Sequence, residues 1–254
     1  MQINKQNIIM YKNILNETEQ KKEIYRYIFW RMLGTRKLFV NDVIISNNGI
    51  SMNCGKNFDN CTIAVSSFED YIKDELDMSE GSFIDVGAHI GKHSLYAAKK
   101  LGSKGKVLSI EADSETSELL RTNVALNNLH NIKVFEVVCL DMTRLVNFYS
   151  DYYSSTNSVF INDRERKADS KISFGLDDLF PNIKDVKIIK IDVEGAETMV
   201  IDGAMHLIKN NLPKIIFEGN KNVEGIQRRL KGLNYSIRHL QEDNYVAEVL
   251  EEKQ

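Results

Sequence analysis

From Phe83 onward the chain alternates short, almost wholly apolar runs with stretches of helical periodicity, and this rhythm constrains the fold more than any other feature. The strand-like runs are Phe83–Val86, Lys106–Ile110, Ile132–Leu140, Val186–Val193 and Lys214–Glu218. Between them lie helical patterns over Gly91–Leu101, Glu115–Asn127, Ala196–Asn210 and Val223–Leu233. Runs that are apolar apart from lysines read as parallel strands covered by helices on both faces. Such strands join through right-handed crossovers into a doubly wound α/β sheet, whose ligands sit at the carboxyl ends of the strands. Tyr235–Leu240 and Tyr245–Leu250 flank the turn Gln241–Asn244 and predict a closing antiparallel pair.

The pattern before Ser82 is mixed. Glu17–Leu33 reads as a helix opening after Asn16 and closing at Gly34. Asn47-Asn48-Gly49 signals a hairpin within Lys37–Met52, and Ser66–Leu76 reads as a second helix with Ser67 as its cap. The expected division is therefore an extension over 1–79, serving as a lid or in acceptor or dimer contacts, and a ligand-binding domain over 80–254. A chain of 254 residues with 43% hydrophobic and 27% charged content suits such an arrangement. A net charge of −3 gives no basic excess for a general nucleic-acid binder. There is no apolar run long enough to span a membrane and no secretory leader, so a cytoplasmic protein, monomeric or homodimeric, is expected. The three cysteines are read as reduced and structural, with a labile Cys54–Cys61 bridge as the alternative. Heavy use of Lys, Ile and Asn is the composition of an AT-rich bacterial genome.

The strand ends carry the chemistry. After the first strand comes Asp85-Val-Gly87-Ala88-His89-Ile-Gly91. Its glycines suit a tight turn whose backbone N–H groups face a ligand. A carboxylate at the strand end gains nothing from a phosphate but does favour a cationic or amino-bearing ligand. The spacing D-x-G-x-x-x-G also departs from the G-x-G-x-x-G of nicotinamide binders. The bland alternative makes Asp85 a helix cap. Ser94, Ala97, Ala98 and Leu101 form a small-residue face that can lie close on the sheet.

Glu111 closes the second strand, where an acid can accept hydrogen bonds from ribose hydroxyls. Asn123 lies on an apolar helix stripe and needs a partner, in a cofactor shell or on a neighbouring loop backbone. Asp141, past the third strand, could meet an adenine edge. In the fourth strand Lys190, Asp192 and Glu194 point to one side, and Glu218 closes the fifth at the same rim. Three ionisable groups on one side of a buried strand are either paired with neighbouring basic groups or used in chemistry. His93, in the first turn of the first helix, is either a base or a plain helix histidine. A divalent ion on Asp192, Glu194 and Glu218 is conceivable but not expected, and no metal ligands are assigned.

Taken together, FIDVGAHIG, SIEAD, LLRTNVALNN, the LDDLF segment at Leu176–Phe180, IKIDVEGAE and IIFE resemble the FkbM family of S-adenosylmethionine-dependent methyltransferases. The resemblance covers roughly Phe83 to Glu218. It implies a Rossmann-like class I methyltransferase fold with a seven-stranded, mostly parallel sheet and an antiparallel last strand. By motif, Asp85, Gly87, Ala88, His89 and Gly91 would cradle the cofactor. Glu111 and Ala112 would meet the ribose, with Asn123, Asp141 and Asp192 completing the cofactor shell. His89 stands where the family most often has Asn, and Ala112 where a proline usually follows the ribose acid.

The resemblance implies an enzyme that transfers a methyl group and releases S-adenosyl-L-homocysteine. Asp192 would lie nearest the methyl group, Glu194 and Glu218 at the acceptor mouth, and His93 would be the candidate base. Its implied acceptor is a small molecule, a hydroxyl of a sugar or of a capsular or other surface-glycan precursor. An amine or phosphoramide nitrogen is the alternative. A nicotinamide-dependent oxidoreductase and a non-catalytic binding module are the more distant ones. The aromatic and hydroxyl-rich segment Asn147–Phe160 is expected to wall the acceptor pocket or to form an edge-strand hairpin.

Overall fold

The computed structural model describes residues 5–33, 39–150, 159, 167–219 and 223–250. Helices α1 (Lys5–Glu17) and α2 (Lys21–Met32) lead into the hairpin β1 (Ile44–Asn47) and β2 (Ile50–Asn53), then α3 (Phe58–Ala64) and α4 (Asp70–Glu75). The sheet domain follows as β3 (Gly81–Val86), α5 (Lys92–Leu101), β4 (Gly105–Ile110), α6 (Ser114–Leu126) and β5 (Ile132–Phe135). Next come β6 (Val138–Cys139), β7 (Arg144–Ser150), β8 (Lys167–Phe174) and α7 (Leu176–Leu179). The chain continues through β9 (Val186–Ile191), α8 (Glu197–Asp202), α9 (Met205–Asn211), β10 (Lys214–Glu218) and α10 (Val223–Leu230), and closes with β11 (Tyr235–His239) and β12 (Asn244–Val249).

The main sheet has seven strands in the order β11-β12-β10-β9-β3-β4-β5. β10, β9, β3, β4 and β5 run parallel, and β12 is antiparallel to both β10 and β11. The chain builds outward from β3 to β5, then crosses back to β9, so the order reverses between β9 and β3. At that reversal the loops leaving adjacent strand ends diverge and leave a crevice. The central strands are apolar because both faces are covered: Ile84, Val86, Ile189, Ile191, Ile215 and Phe217 are all buried in one cluster with α8 and α9. Ala97, Ala98 and Leu101 of α5 pack on the other face against Phe83, Val107 and Ile188.

Several boundaries differ from the sequence reading. The expected helix over 17–33 begins only at Lys21, as α2, and α1 before it was not expected; Thr18 and Gln20 divert the backbone between the two. The Thr18 hydroxyl accepts from Gln20 N–H at 3.1 Å, and the Gln20 side chain accepts from Ile44 N–H at 3.1 Å. The expected end at Gly34 lies outside the described residues. The hairpin is as expected: Asn48 and Gly49 have φ of 51° and 69°, the doubly left-handed turn that matches strand twist. The expected helix over 66–76 shrinks to α4, since the Ser66 N–H and hydroxyl both bind Glu17, and Ser67 accepts from Asn13 instead of capping. The run Ile132–Leu140 splits, and β6 leaves the main sheet to pair with β8. The helix expected over 196–210 breaks at Gly203, where a Cβ would lie 2.1 Å from the Leu140 carbonyl oxygen. α9 restarts there because Asp177, in the LDDLF segment, accepts from His206 and Leu207 N–H, each at 2.8 Å.

Asn123 explains how the extension is tied to the sheet domain. Its side-chain oxygen accepts from Asn53 N–H at 2.6 Å, and its amide donates to the carbonyls of Asn53 (3.2 Å) and Ile90 (2.9 Å). The residue is fully buried, so each of these groups would otherwise be stranded. Asn123→Ala is expected to lower stability by about 2–3 kcal/mol in urea unfolding followed by circular dichroism.

Candidate active site

A cavity of about 350 Å³ opens at the carboxyl ends of the strands beside the β9/β3 reversal. Its lining comes from the turn after β3 (Gly87, Ala88, His89), the end of β4 (Glu111, Ala112), the end of β9 (Lys190, Asp192, Glu194) and Glu218 of β10. Phe148 and Val159 close one side, while Tyr152 and Tyr153 lie outside the described residues. Ile63, Phe68 and Glu69 from the N-terminal extension and Glu242 from the β11–β12 turn close the other.

The glycines of the turn answer to packing as much as to a ligand. A Cβ on Gly87 (φ 79°) would sit 1.8 Å from the Asp192 carbonyl oxygen, and one on Gly91 (φ 95°) 2.2 Å from Leu120. The turn is therefore pressed against both the β9 end and α6. Four of its N–H groups, expected to face a ligand, have acceptors within the protein. Gly87 and Ala88 donate to the Ile110 carbonyl, Gly91 donates to that of Ala88, and His89 donates to Glu111 Oε2 at 2.9 Å. With those four donors committed, the turn itself offers a pyrophosphate less than an open glycine loop would.

Residues 85–249 match the methyltransferase FkbM domain. The chain belongs to the FkbM methyltransferase family. It is also similar to the probable cobalt-precorrin-6B C(15)-methyltransferase (decarboxylating) of Sulfolobus acidocaldarius, 33% identical over 84 residues that cover 33% of this chain and 41% of that protein. The namesake in Sulfurisphaera tokodaii is 39% identical over 54 residues, covering 21% and 28% of the two chains. The matched segment thus spans less than half the length of either relative. The crystal structure of methyltransferase FkbM from Methylobacillus flagellatus KT shares the fold at a TM-score of 0.50 and 19% identity, covering 66% of this chain and 43% of that one.

Within this FkbM domain the predicted site residues fall into two groups. Gly87, Ala88, His89, His93, Glu111, Ala112, Asp192, Glu194 and Glu218 all line the cavity. Asp85, Gly91, Asn123 and Asp141 do not. Asp85 sits one layer beneath, 1% exposed, with Oδ2 accepting from the Ser94 hydroxyl at 2.6 Å and Oδ1 without a donor among the described residues. Asn123 spends its amide on backbone, and Asp141 pairs with Arg144 at 2.8 Å. No group of three or more His, Cys, Asp and Glu among the described residues is arranged to hold a metal ion.

The electrostatics centre on Lys190, which is 3% exposed and donates to Asp192 Oδ2 at 2.9 Å. Burial disfavours its charge, but Asp192, Asp85 and Glu69 outweigh that and raise its pKa. Glu69 was missed by sequence reasoning, since nothing local marks it. It adopts φ 45° ahead of α4 and accepts a 3.0 Å hydrogen bond from His93 Nε2. Burial alone would raise the Glu69 pKa; the His93 bond, Lys190 and Lys92 overcome this and hold it at about 2. Burial pushes His93 below its ordinary value despite Glu69. A neutral His93 beside an ionised Glu69 carries its proton on Nε2, which leaves Nδ1 as a lone-pair acceptor. His89 is likewise driven down to about 4 by burial. Lys92, pulled to about 7 by burial and by Lys73, donates to the carbonyls of Val65 and Phe68 and fastens the Glu69 segment from below.

Glu111 behaves oppositely to Glu69. Desolvation raises it to about 7, although Asp113 and His89 N–H groups bind its two oxygens at 2.8 and 2.9 Å. Because its pKa is lowered on folding, ionised Glu69 contributes stability that is present above about pH 4.5 and is lost as pH falls toward 2. Glu69→Gln should therefore lower stability at pH 7 by up to about 3 kcal/mol, and the gap should close as unfolding is measured at progressively lower pH.

Proposed function

We propose that the chain is an S-adenosylmethionine-dependent methyltransferase acting on a hydroxyl of a small-molecule acceptor, with a sugar or glycan precursor as the acceptor class. The observation that carries this reading is the acid-lined cavity at the strand reversal of an FkbM domain, beside a turn whose own N–H groups are consumed. Such a site recognises its ligand through side chains, and Glu111 at its floor is the group suited to ribose hydroxyls. Asp85 Oδ1, buried and without a donor among the described residues, fits an amino-bearing ligand reached directly or through water. Between them these residues fit the cofactor.

The cofactor supplies an activated methyl group, and the chain's work is to orient the acceptor and to receive its proton. Asp192, held by Lys190, lines the cavity together with Glu194 two residues on and Glu218 at the end of the adjoining strand. On this reading His93 is the base. With its Nε2 proton anchored on Glu69, its Nδ1 would be the atom that receives the acceptor hydroxyl's proton. An amine acceptor would need no such base.

Two measurements test the reading. A ribose bonded to Glu111 favours its ionised form, so binding of S-adenosylhomocysteine should release protons near pH 7. Affinity should then rise between about pH 6 and 8 and level off above. Isothermal titration in two buffers of different ionisation heat reads this directly. Glu111→Gln should weaken binding about tenfold or more and abolish the pH dependence. No binding of this nucleoside at any pH would end the proposal. Formation of S-adenosylhomocysteine in a screen of sugars against amino sugars separates hydroxyl from nitrogen acceptors. With a hydroxyl acceptor, His93→Gln should cut turnover about 10²–10⁴-fold.

A further inference from the structure

The outer surface of the N-terminal helices carries a feature that neither the fold nor the cavity uses. α2 has two apolar faces. Ile24 and Tyr27 point inward and are buried in the cluster that includes Phe39, Val43 and Phe58. The opposite arc, ending at the residue that caps the helix, consists of Lys21, Lys22, Tyr25, Arg26, Phe29, Met32 and Leu33. Those seven are the exposed residues of this stretch, four large apolar side chains and three cations without an acid among them. Phe29, Met32 and Leu33 are 56%, 66% and 59% exposed. The one acid of α2, Glu23, is buried on the inner side, where it binds Arg26, Val40 N–H and Asn41.

α1 extends the same surface. Ile8 and Ile9 are 57% and 50% exposed, and a groove between the two helices brings Ile8 and Lys12 alongside Lys21 and Tyr25. Between Lys5 and Leu33 there are six basic and three acidic residues, in a chain that totals 33 basic and 36 acidic. Of those acids only Glu19, in the connecting loop, is exposed. The α1–α2 segment is thus positive on a negative molecule, and its cations are interleaved with solvent-facing aromatic and aliphatic side chains.

We infer that this face docks on an anionic lipid bilayer surface. No described helix is long and apolar enough to cross a membrane, so the contact would be interfacial. Aromatic and branched side chains enter the headgroup boundary while lysines beside them meet lipid phosphates. Charge favours this occupant over a second copy of the chain. A two-fold contact would set the same cations against each other, whereas an acidic leaflet complements them. The face belongs to the extension that supplies Glu69 to the cavity, and Glu17 at the end of α1 binds Ser66 close to it. The inference does not rest on the reaction assigned above.

Flotation of the full chain with vesicles tests it, using phosphatidylcholine alone or with about 30 mol % phosphatidylglycerol, at about 0.1 and 0.5 M NaCl. Expected is binding to the anionic vesicles only, lost at high salt. K21E/K22E should weaken it at least about tenfold, given roughly fivefold per cation near such a surface. F29S/M32S should weaken it similarly, with thermal midpoint and S-adenosylhomocysteine affinity unchanged in both variants. Failure to bind anionic vesicles, equal binding to neutral ones, or wild-type binding by both variants overturns the inference. So does a wild-type dimer in analytical ultracentrifugation that F29S/M32S dissociates, which would give the face to a second copy.

Discussion

The buried ammonium of Lys190 organises the site. Lys190 lies in register with Asp85 across the β9/β3 pair, reaches Asp192 two residues on, and feels Glu69 from the N-terminal extension. An ammonium taken out of water unaccompanied would cost several kcal/mol. Here three carboxylates from three different segments offset that cost, and none is adjacent in sequence to another. Conversely, Asp85 is almost fully buried at the centre of the sheet and tolerates its position because Lys190 and Ser94 are there. The charge balance at the strand reversal and the closure of the extension over it are one arrangement.

The close approach of Gly87 to Asp192 has the same centre. Removing the side chain at position 87 lets the turn after β3 touch the backbone leaving β9, which places Asp192 and Glu194 on the cavity wall. Asp192 N–H in turn binds the Val86 carbonyl at 2.9 Å, extending the strand pairing to the rim. Ile110, Ala88 and Glu111 take four of the turn's N–H groups, so on the proposed reading recognition falls largely to side chains. A phosphate-binding loop spends its glycines on the ligand; this turn spends them on the neighbouring strand.

The parts of this structure that depend on local periodicity were readable from sequence. Parallel strands buried on both faces must be apolar along their length, so β3, β4, β9 and β10 stood out. The reversal rule then pointed to Glu111, Asp192, Glu194 and Glu218 as rim residues. Asn123 was legible as a misplaced amide but not as the clasp of the extension, since its partners Asn53 and Ile90 lie 70 and 33 residues away. Glu69 was invisible for the same reason: it matters through His93 and Lys190, both remote in sequence, and it sits in a left-handed conformation that its residue type does not announce. The failed helix boundaries at Thr18, Ser67 and Gly203 share one cause. In each case a side-chain or close-packing contact overrides the helical pattern: the local Thr18 hydroxyl on Gln20 N–H, Glu17 and Asn13 on Ser66 and Ser67, and the Leu140 carbonyl at Gly203.

Two glutamates in the same cavity hold their protons very differently, and the contrast divides the cavity in two. Glu69 is surrounded by His93, Lys190 and Lys92, so it stays anionic far below neutrality whatever else enters. Glu111 has only N–H donors to set against full desolvation, with Asp113 and Asp85 adding repulsion, and so it titrates near 7. A fixed charge suits a group that must orient a base through every turnover. An adjustable one suits a group whose ionised form is completed by the ligand it binds, because proton loss is then coupled to occupancy. On the proposed reading the cofactor belongs at the Glu111 end and the acceptor at the Glu69 end. The two meet over Asp192, the residue on which the buried ammonium is anchored.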